Sequence, residues 1–339
     1  MGVEVALFHD LAEVERDARG GLGRALQPRL CDRIDWYRLV AEDLPEVRPL
    51  VVSARNGVGR CWLFLAEGDG GHASSFNNGY GLSFGPVTQT ISGARAPFGS
   101  LVRGLRRAGI SHLYFERVAE NDPLPAVLLR SGWGVVRRKM SASWRIHTDG
   151  MTFEDYWATR PSRLRNTAAR RARKANLEIQ IFDRFDERAM QDYEAVYAAS
   201  WKPEEKAALL IRRLAEQEGE AGTLRLGLAY HEGRAVAGQL WLVERGIATI
   251  HKLAYREDAR ELSAGTVLSV EMFRRALDVD KVAMIDFGFG DHPYKAEWMT
   301  HSVPLYAVTA YDLLRPAGIA GLLRSLGSKL AARLSRWPR

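Results

Sequence analysis

From Asp286 to Trp298 the chain reads DFGFGDHPYKAEW, directly after the apolar run VAMI. Ionisable groups therefore collect where a buried strand is expected to end. Asp286 is placed to accept a proton from an attacking amine or to order the glycine turn beside it, and Asp291 has the same two roles open. His292, of a residue type that titrates near neutrality, is a substrate contact or a solvated loop residue. Tyr294 is a candidate proton donor. Lys295 neutralises a substrate anion or pairs with an aspartate, and Trp298, like Trp201, lines a pocket or packs. Asp-Phe-Gly alone invites a phosphotransferase reading. The glycine loop, strand lysine and HRD segment that such enzymes need are absent, so that class is excluded.

A second group lies upstream, in IATIHKLAY. On a strand His251, Leu253 and Tyr255 alternate onto one face and Lys252 onto the other. His251 is a base, a substrate ligand or a half-buried strand residue. Tyr255 is a second candidate proton donor. Lys252 meets a phosphate or carboxylate, or is solvated. The strand breaks at REDARELSAG and a helix is expected from about Ser263, with the serine as cap. The amides of Ser263, Ala264, Gly265 and Thr266 would then face outward from a helix start, where phosphate is stabilised. A strand, a phosphate-ready helix start and a neighbouring strand with ionisable groups resemble an acyl-CoA site. The single G-x-S-x-G, Gly81 to Gly85, lies in the glycine-rich, uncharged stretch SSFNNGYGLSFGPV, read as a long ordered loop or a bent strand and not as a nucleophile elbow, and no H-E-x-x-H or P-loop segment occurs. Cys31 and Cys61 sit in no ligand-like spacing, so neither a metal site nor a disulfide is expected.

These groups need elements to hold them. RPLVVSAR and GRCWLFLAEG read as strands about an Asn56-Gly57 turn. FGSLVRGLRRAG reads as a helix stopped by Gly109, SHLYFERV as a strand, LPAVLLRSG as a short helix, and WGVVRRKMSASWRIH as a returning strand. A helical linker follows, carrying Arg160, Arg163, Arg165, Arg170, Arg171, Arg173 and Lys174, with Ser162 as its cap. MQDYEAVYAASW and PEEKAALLIRRLAEQEG read as helices. Three antiparallel strands turn at Glu232-Gly233 and Arg245-Gly246. A helix, the strand VAMIDFGF and a last strand, SVPLYAVTAYDLL, complete the order. Strand, acidic loop, short helix and returning strand occur once from SHLYFERV and again from VAMIDFGF. The fold expected is α/β (α+β): two similar units with mixed sheets, at 1–150 and 151–312, and a tail at 313–339.

The 339 residues carry a net charge of +7, which favours anionic partners. The opening MGVEVALFHD is not signal-like, and no apolar run approaches a membrane span. A cytoplasmic protein is expected, with any membrane contact peripheral. After Asp312 the chain has no acid, while Arg315, Arg324, Lys329, Arg333, Arg336 and Arg339 are basic. Ile319, Leu322, Leu323, Leu326, Leu330, Leu334 and Trp337 recur at helical spacing. Such an amphipathic helix suits the anionic, inner face of the cytoplasmic membrane, the alternative being a helix docked on the protein's own core.

KLAY-x(7)-SAG-x-x-L followed by DFG-x-G-x-x-x-YK-x-x-W resembles the GNAT-superfamily acetyltransferase domain of CelD-like cellulose-biosynthesis proteins, a relative of Fem-type peptidoglycan transferases. YWATRPSRLRNTAARRARK and Ser200-Trp201-Lys202 resemble it too, and the likeness runs from about Phe153 to Tyr311. It implies tandem GNAT units, the first degenerate. With it, Trp201, Lys202, Lys252, His292 and Lys295 are the candidate substrate contacts, and acyl-CoA is expected as co-substrate with no permanently bound cofactor. The usual Q/R-x-x-G-x-G/A loop is reduced here to Leu262–Thr266. Three functions follow as expectations. The first is an N-acyltransferase acting on an amine, in its sharpest form a lipid amine such as a sphingoid base, as in a ceramide synthase-like enzyme. The second is a Fem-type transferase using aminoacyl-tRNA. The third is a non-catalytic scaffold in envelope polysaccharide synthesis. Nucleic acid enters only in the second.

Overall fold

The computed structural model describes residues 2–90 and 96–334, with side chains as far as 327. Packing divides the chain into unit 1, Met1–Ser141 with Pro304–Arg339, and unit 2, Ala142–Val303. Unit 1 opens with β1 (Glu4–Phe8), α1 (Leu11–Ala18), α2 (Ile34–Asp43), β2 (Arg48–Asn56), β3 (Gly59–Glu67), β4 (His72–Ser75) and β5 (Val87–Thr90). It continues with α3 (Phe98–Arg107), β6 (His112–Ala119), α4 (Leu124–Arg130) and the first part of β7 (Trp133–His147). Unit 2 holds the rest of β7, then α5 (Phe153–Ala158), α6 (Ser162–Ala175), β8 (Glu178–Phe182), α7 (Glu187–Ala198) and α8 (Ala208–Glu220). After these come β9 (Leu224–His231), β10 (Arg234–Glu244), β11 (Ile247–Tyr255), α9 (Ala264–Arg274), β12 (Met284–Phe289) and α10 (Lys295–Trp298). Most of β13 (His301–Asp312) and all of α11 (Pro316–Leu334) return to unit 1.

The unit boundaries fall inside β7 and β13, not in the turns at 150 and 312. A sequence break follows turn composition, whereas packing follows where a strand finds its partner. β13 comes last in sequence yet pairs antiparallel with β6, from Leu305↔Ala119 to Tyr311↔His112. The sheet of unit 1 runs β1-β2-β3-β4-β6-β13-β7, with β5 on β3. Its core joins Leu50, Leu63, Leu101, Phe115 and Trp133. β4 and β6 are parallel from His72↔His112 to Ser74↔Tyr114 and then separate.

The sheet of unit 2 runs β7-β12-β11-β10-β9-β8. Residues 235–242 of β10, AVAGQLWL, are all buried, the pattern of a central strand covered on both faces. Glu232-Gly233 and Arg245-Gly246 all take left-handed angles, with φ of 50° and 75°, and 48° and 75°. Two-residue hairpins need that conformation, and glycine adopts it without strain. The core here joins Trp241, Ile250, Leu268, Phe273, Ile285 and Trp298.

Three local expectations are corrected. Ser162 is the first residue of α6, not its cap; Pro161 stands at the cap with no side-chain bond to the helix. Pro161 also separates α5 from α6, because it disfavours the helical conformation at Arg160. PEEKA lies outside α8, which starts at Ala208. In α11 the leucines do not share one stripe. Leu322 turns inward, its Cδ2 3.0 Å from where a Cβ on Gly134 would stand, and Gly321 lies against the Tyr311 ring. Ile319, Leu323 and Leu326 face outward at 45%, 63% and 44% exposure. The side chains of Lys329, Leu330, Arg333 and Leu334, and residues Arg336, Trp337 and Arg339, lie outside those described. No helix among the described residues is long and apolar enough to cross a membrane.

Candidate active site

β11 and β12 run parallel for three residue pairs only, Ile247↔Met284 to Thr249↔Asp286. Beyond them β11 continues along β10 to Tyr255, while β12 stays on β7 as far as Phe289↔Ser143. A crevice therefore opens at the carboxyl ends of two parallel strands, the place where α/β sheets bind ligands. β11 also carries a bulge. Leu240 pairs with Lys252 and Trp241 with Ile250, which leaves His251 as the extra residue. A bulge re-aims a strand, so the simple alternation of His251 with Leu253 and Tyr255 does not hold through it.

The start of α9 lies under the end of β11. A Cβ on Gly265 would stand 3.4 Å from Cδ1 of Tyr255, so the helix approaches the strand closely. Ser263 does not cap with its side chain. It is left-handed, at φ 53°, a backbone that accounts for its hydroxyl leaving the first-turn amides unengaged. Its carbonyl accepts instead from the amides of Thr266 and Val267, at 3.0 and 3.2 Å. Ala264 and Gly265 remain as the first-turn donors outside that turn. Gln239, 2% exposed, fixes this geometry. Its Nε2 donates to Ser269 Oγ at 2.8 Å and to the Gly265 carbonyl at 3.3 Å, and its Oε1 accepts from Trp241 Nε1 at 2.9 Å.

On the other lip, Asp286 is fully engaged. Its Oδ1 accepts from Ser143 Oγ at 2.6 Å and from the Gly288 amide at 2.8 Å, and its Oδ2 accepts from Arg145 Nε at 2.7 Å. That is the arrangement of a residue that orders the glycine turn. Lys295, 4% exposed, donates to the carbonyls of Phe287 and Phe289 at 2.9 and 3.0 Å. Its ammonium thereby closes the turn from within. Burial pulls its pKa down to about 8, against the opposing pull of Asp286 and Asp291. Asp291 accepts from Trp144 Nε1 at 3.0 Å. Tyr294 meets Phe287 edge-on at 5.7 Å. Burial, and next the neighbouring Tyr255, push its hydroxyl up to about 12. His292 is exposed and ring-stacked with Tyr294 at 6.1 Å. Trp298 is buried against Phe273 and Trp157.

A loop from α7 brings the remaining residues in. Ser200 bridges to Arg256, and the Glu257 amide donates to the Ala199 carbonyl at 3.1 Å. These contacts tie residues 199–200 to the end of β11. Lys202 and Lys252 then sit over the same ring of Tyr197, with Nζ at 5.6 and 4.9 Å from its centroid. Glu205 pairs with Lys252, both largely buried. Burial lowers the pKa of Lys202 to about 8, and Lys252 lowers it further while Glu205 opposes; Lys295 is close enough to contribute. The three lysines proposed from sequence thus come together. Trp201 does not join them inwardly; it is 54% exposed. Sequence reasoning missed Glu205, Tyr197 and Gln239. Glu205 was hidden because PEEKA read as helix, and Tyr197 and Gln239 because both lie in apolar runs.

Among the described residues no group of acidic, histidine or cysteine side chains has the arrangement of a metal site. No curated protein matches the chain in sequence. Several solved structures share its fold. FemX superposes with a TM-score of 0.60 at 11% identity, covering 94% of this chain and 98% of its own. The C-terminal DUF2156 domain of an Agrobacterium fabrum protein named as a lysylphosphatidylglycerol synthetase gives 0.57 at 14%, covering 94% and 97%. A tandem GNAT protein from the clavulanic acid biosynthesis pathway gives 0.52 at 13%, covering 91% and 98%. At these identities the likeness is one of fold. The family model described as acetyltransferase (GNAT) domain matches residues 162–296, which span α6, the β11–β12 crevice, α9 and Lys295. Residues 162–296 therefore resemble a GNAT-type acetyltransferase domain, and the chain shares the fold of a tandem GNAT protein.

Proposed function

We propose that unit 2 transfers an acyl group from a CoA thioester to an amine. The observation that carries this reading is the parting of β11 from β12 after three pairs, directly above the start of α9. Beyond Thr249 the β11 edge toward the crevice has no β12 partner. An extended donor with amide groups can bond there as an added strand. The amides of Ala264 and Gly265, at the positive end of α9, would receive its pyrophosphate. The absence of acid in the first turn of that helix fits an anionic ligand.

In the reaction the amine nitrogen attacks the thioester carbonyl carbon, the C–S bond breaks, and the nitrogen loses a proton while the thiolate gains one. A β11 amide facing the crevice would hold the developing oxyanion. Asp286 is occupied by three donors, so His251, at the bulge, is the better placed of the two proton acceptors. Tyr294 stays protonated far above neutrality, which suits it to protonate the thiolate, with Tyr255 beside it. Lys202 and Lys252 would contact an anionic part of a substrate.

The acceptor we propose is a lipid amine, a sphingoid base being one member of that class. The support is the outward ridge of Ile319, Leu323 and Leu326 on α11, with Leu314 at 71% exposure and Arg324 beside it. Leucine with arginine and no acid suits an anionic bilayer surface. A second reading, an aminoacyl-tRNA donor, is favoured by one feature: α6 presents Arg163, Arg170, Arg173 and Lys174 to solvent. One experiment separates them. Purified protein is titrated with CoA and with tRNA, then incubated with acyl-CoA and a long-chain amine, with products identified by mass spectrometry. CoA binding and an amide product support the first reading. Binding of tRNA alone replaces it with the second, and binding of neither refutes both.

A further inference from the structure

We propose that the junction of α5 and α6 is a second anion site, one that binds a phosphate group of the acceptor. This rests on the acyl-transfer reading above. The central residue is Arg160, only 7% exposed. Its Nε and Nη2 both donate to one atom, Thr159 Oγ1, at 3.2 and 2.9 Å. Its other contact is the Tyr156 ring, 5.0 Å from Cζ. Among the described residues no carboxylate acts on it; burial lowers its pKa and Tyr156 opposes that. A guanidinium has five N–H donors and keeps its charge. One hydroxyl and one ring leave further N–H donors of this guanidinium available to a ligand.

The surroundings are of the same kind. Arg165, in the first turn of α6, has a buried Nε with no hydrogen-bond partner among the described residues. Arg163 is exposed on that turn, which contains no acid, and no side chain caps it. Pro161 brings no N–H of its own, while the Ser162, Arg163 and Leu164 amides form the positive end of a 14-residue helix. Arg160 thus lies directly before the positive end of α6, whose first turn carries Arg163 and Arg165.

That place is separate from the donor's phosphate site. Arg171, in the last turns of α6, donates to the Glu261 carbonyl at 2.7 Å, just before the start of α9. Tyr156 stacks at 5.0 Å on Phe273, near the other end of α9. The two ends of an 11-residue helix are about 16 Å apart. The junction is linked instead to the reacting end. The Tyr156 hydroxyl donates to the Trp298 carbonyl at 3.0 Å, and Trp298 closes the short helix that Lys295 opens. A substrate with a phosphate one short helix away from its amine would reach both.

The test uses the full chain, as wild type, Arg160→Gln and Arg160→Lys. Binding of inorganic phosphate is followed by equilibrium dialysis, and CoA binding by calorimetry on the same samples. Wild type should bind phosphate. Arg160→Gln should lose about tenfold or more in affinity, as expected for removing a buried charge from its partner. Arg160→Lys should recover part of it, and CoA affinity should be unchanged in all three. Phosphate binding that is absent in wild type, or equal in Arg160→Gln, overturns the proposal. Should Arg160→Gln not fold, the double variant Arg163→Gln/Arg165→Gln replaces it, and undiminished phosphate affinity there overturns the proposal equally. If CoA fails to bind while phosphate binding still depends on Arg160, the site stands and the acyl-donor reading falls. Competition of bound phosphate by phosphatidylglycerol vesicles, absent with phosphatidylcholine, would assign it to a lipid headgroup. Its persistence would assign it to a soluble phosphate.

Discussion

Replacing Asp286 by asparagine distinguishes a strut from a proton acceptor. The wild-type carboxylate receives Ser143, the Gly288 amide and Arg145 within 2.6–2.8 Å. The amide oxygen of asparagine can keep the first two. Its NH2 then faces the Arg145 Nε–H, donor against donor. The loss is one charge-assisted hydrogen bond, worth about 1.5–3 kcal/mol. The Arg145 side chain is 35% exposed and the Asp286 side chain 14%, so solvent screens part of the charge and the lower half of that range is expected. For a unit of this size each kcal/mol moves Tm by about 2–4 °C, so calorimetry should show a fall of about 3–8 °C. Arg145→Gln should produce a similar fall, and the double variant little more, since both remove one interaction. Turnover should drop only as far as the turn loosens, within about tenfold. A variant with unchanged Tm and turnover lowered about a thousandfold would refute this reasoning and return Asp286 to the chemistry.

Gly265→Glu should abolish CoA binding while the protein stays folded, because a carboxylate at the positive helix end opposes the pyrophosphate; calorimetric titration checks it, and intact affinity removes α9 from the site. Burial lowers Lys202 from the ordinary lysine value to about 8. Affinity for an anionic substrate should therefore fall as pH rises through about 8, and Lys202→Gln should flatten the profile; a wild-type profile flat between about pH 7 and 9 rules Lys202 out. Changing Leu314, Ile319, Leu323 and Leu326 together to glutamine should abolish binding to anionic vesicles, since each leucine transferred from water contributes about 1.5–3 kcal/mol. Their exposure means Tm should hold, and vesicle binding equal to wild type would assign the ridge another use. High salt should weaken the wild type only in part, because screening leaves the apolar contribution intact.

The chain's two repeats differ at the corresponding crevice. In unit 1, β4 and β6 also separate after three pairs, but Phe84 bridges to Val118, its amide donating to the Arg117 carbonyl at 3.1 Å. Its ring stacks on Phe115 at 5.2 Å. Unit 1 thus places a segment of its own chain against β6 beyond the split.

Local chemistry made much of this legible. Glycine after Glu232 and after Arg245 specified hairpin turns, because only left-handed backbone turns a two-residue loop. The unbroken apolar run in β10 marked a strand covered on both faces. The clustering of ionisable groups after VAMI marked a strand end, and the repeated strand, loop, helix and strand order marked a tandem fold. What sequence spacing could not supply is pairing between distant segments. β13 joins β6 across nearly two hundred intervening positions, and nothing in its residues names that partner. Likewise Asp286 was as good a base as a strut until Ser143 and Arg145 arrived from β7 to fill its oxygens. The bulge at His251 depends on how β10 registers against β11, and Lys202 meets Lys252 only because a loop is pinned at Arg256. Periodicity reports which face a side chain shares with its neighbours. Tertiary packing decides which charges meet, and so which residues are free to react.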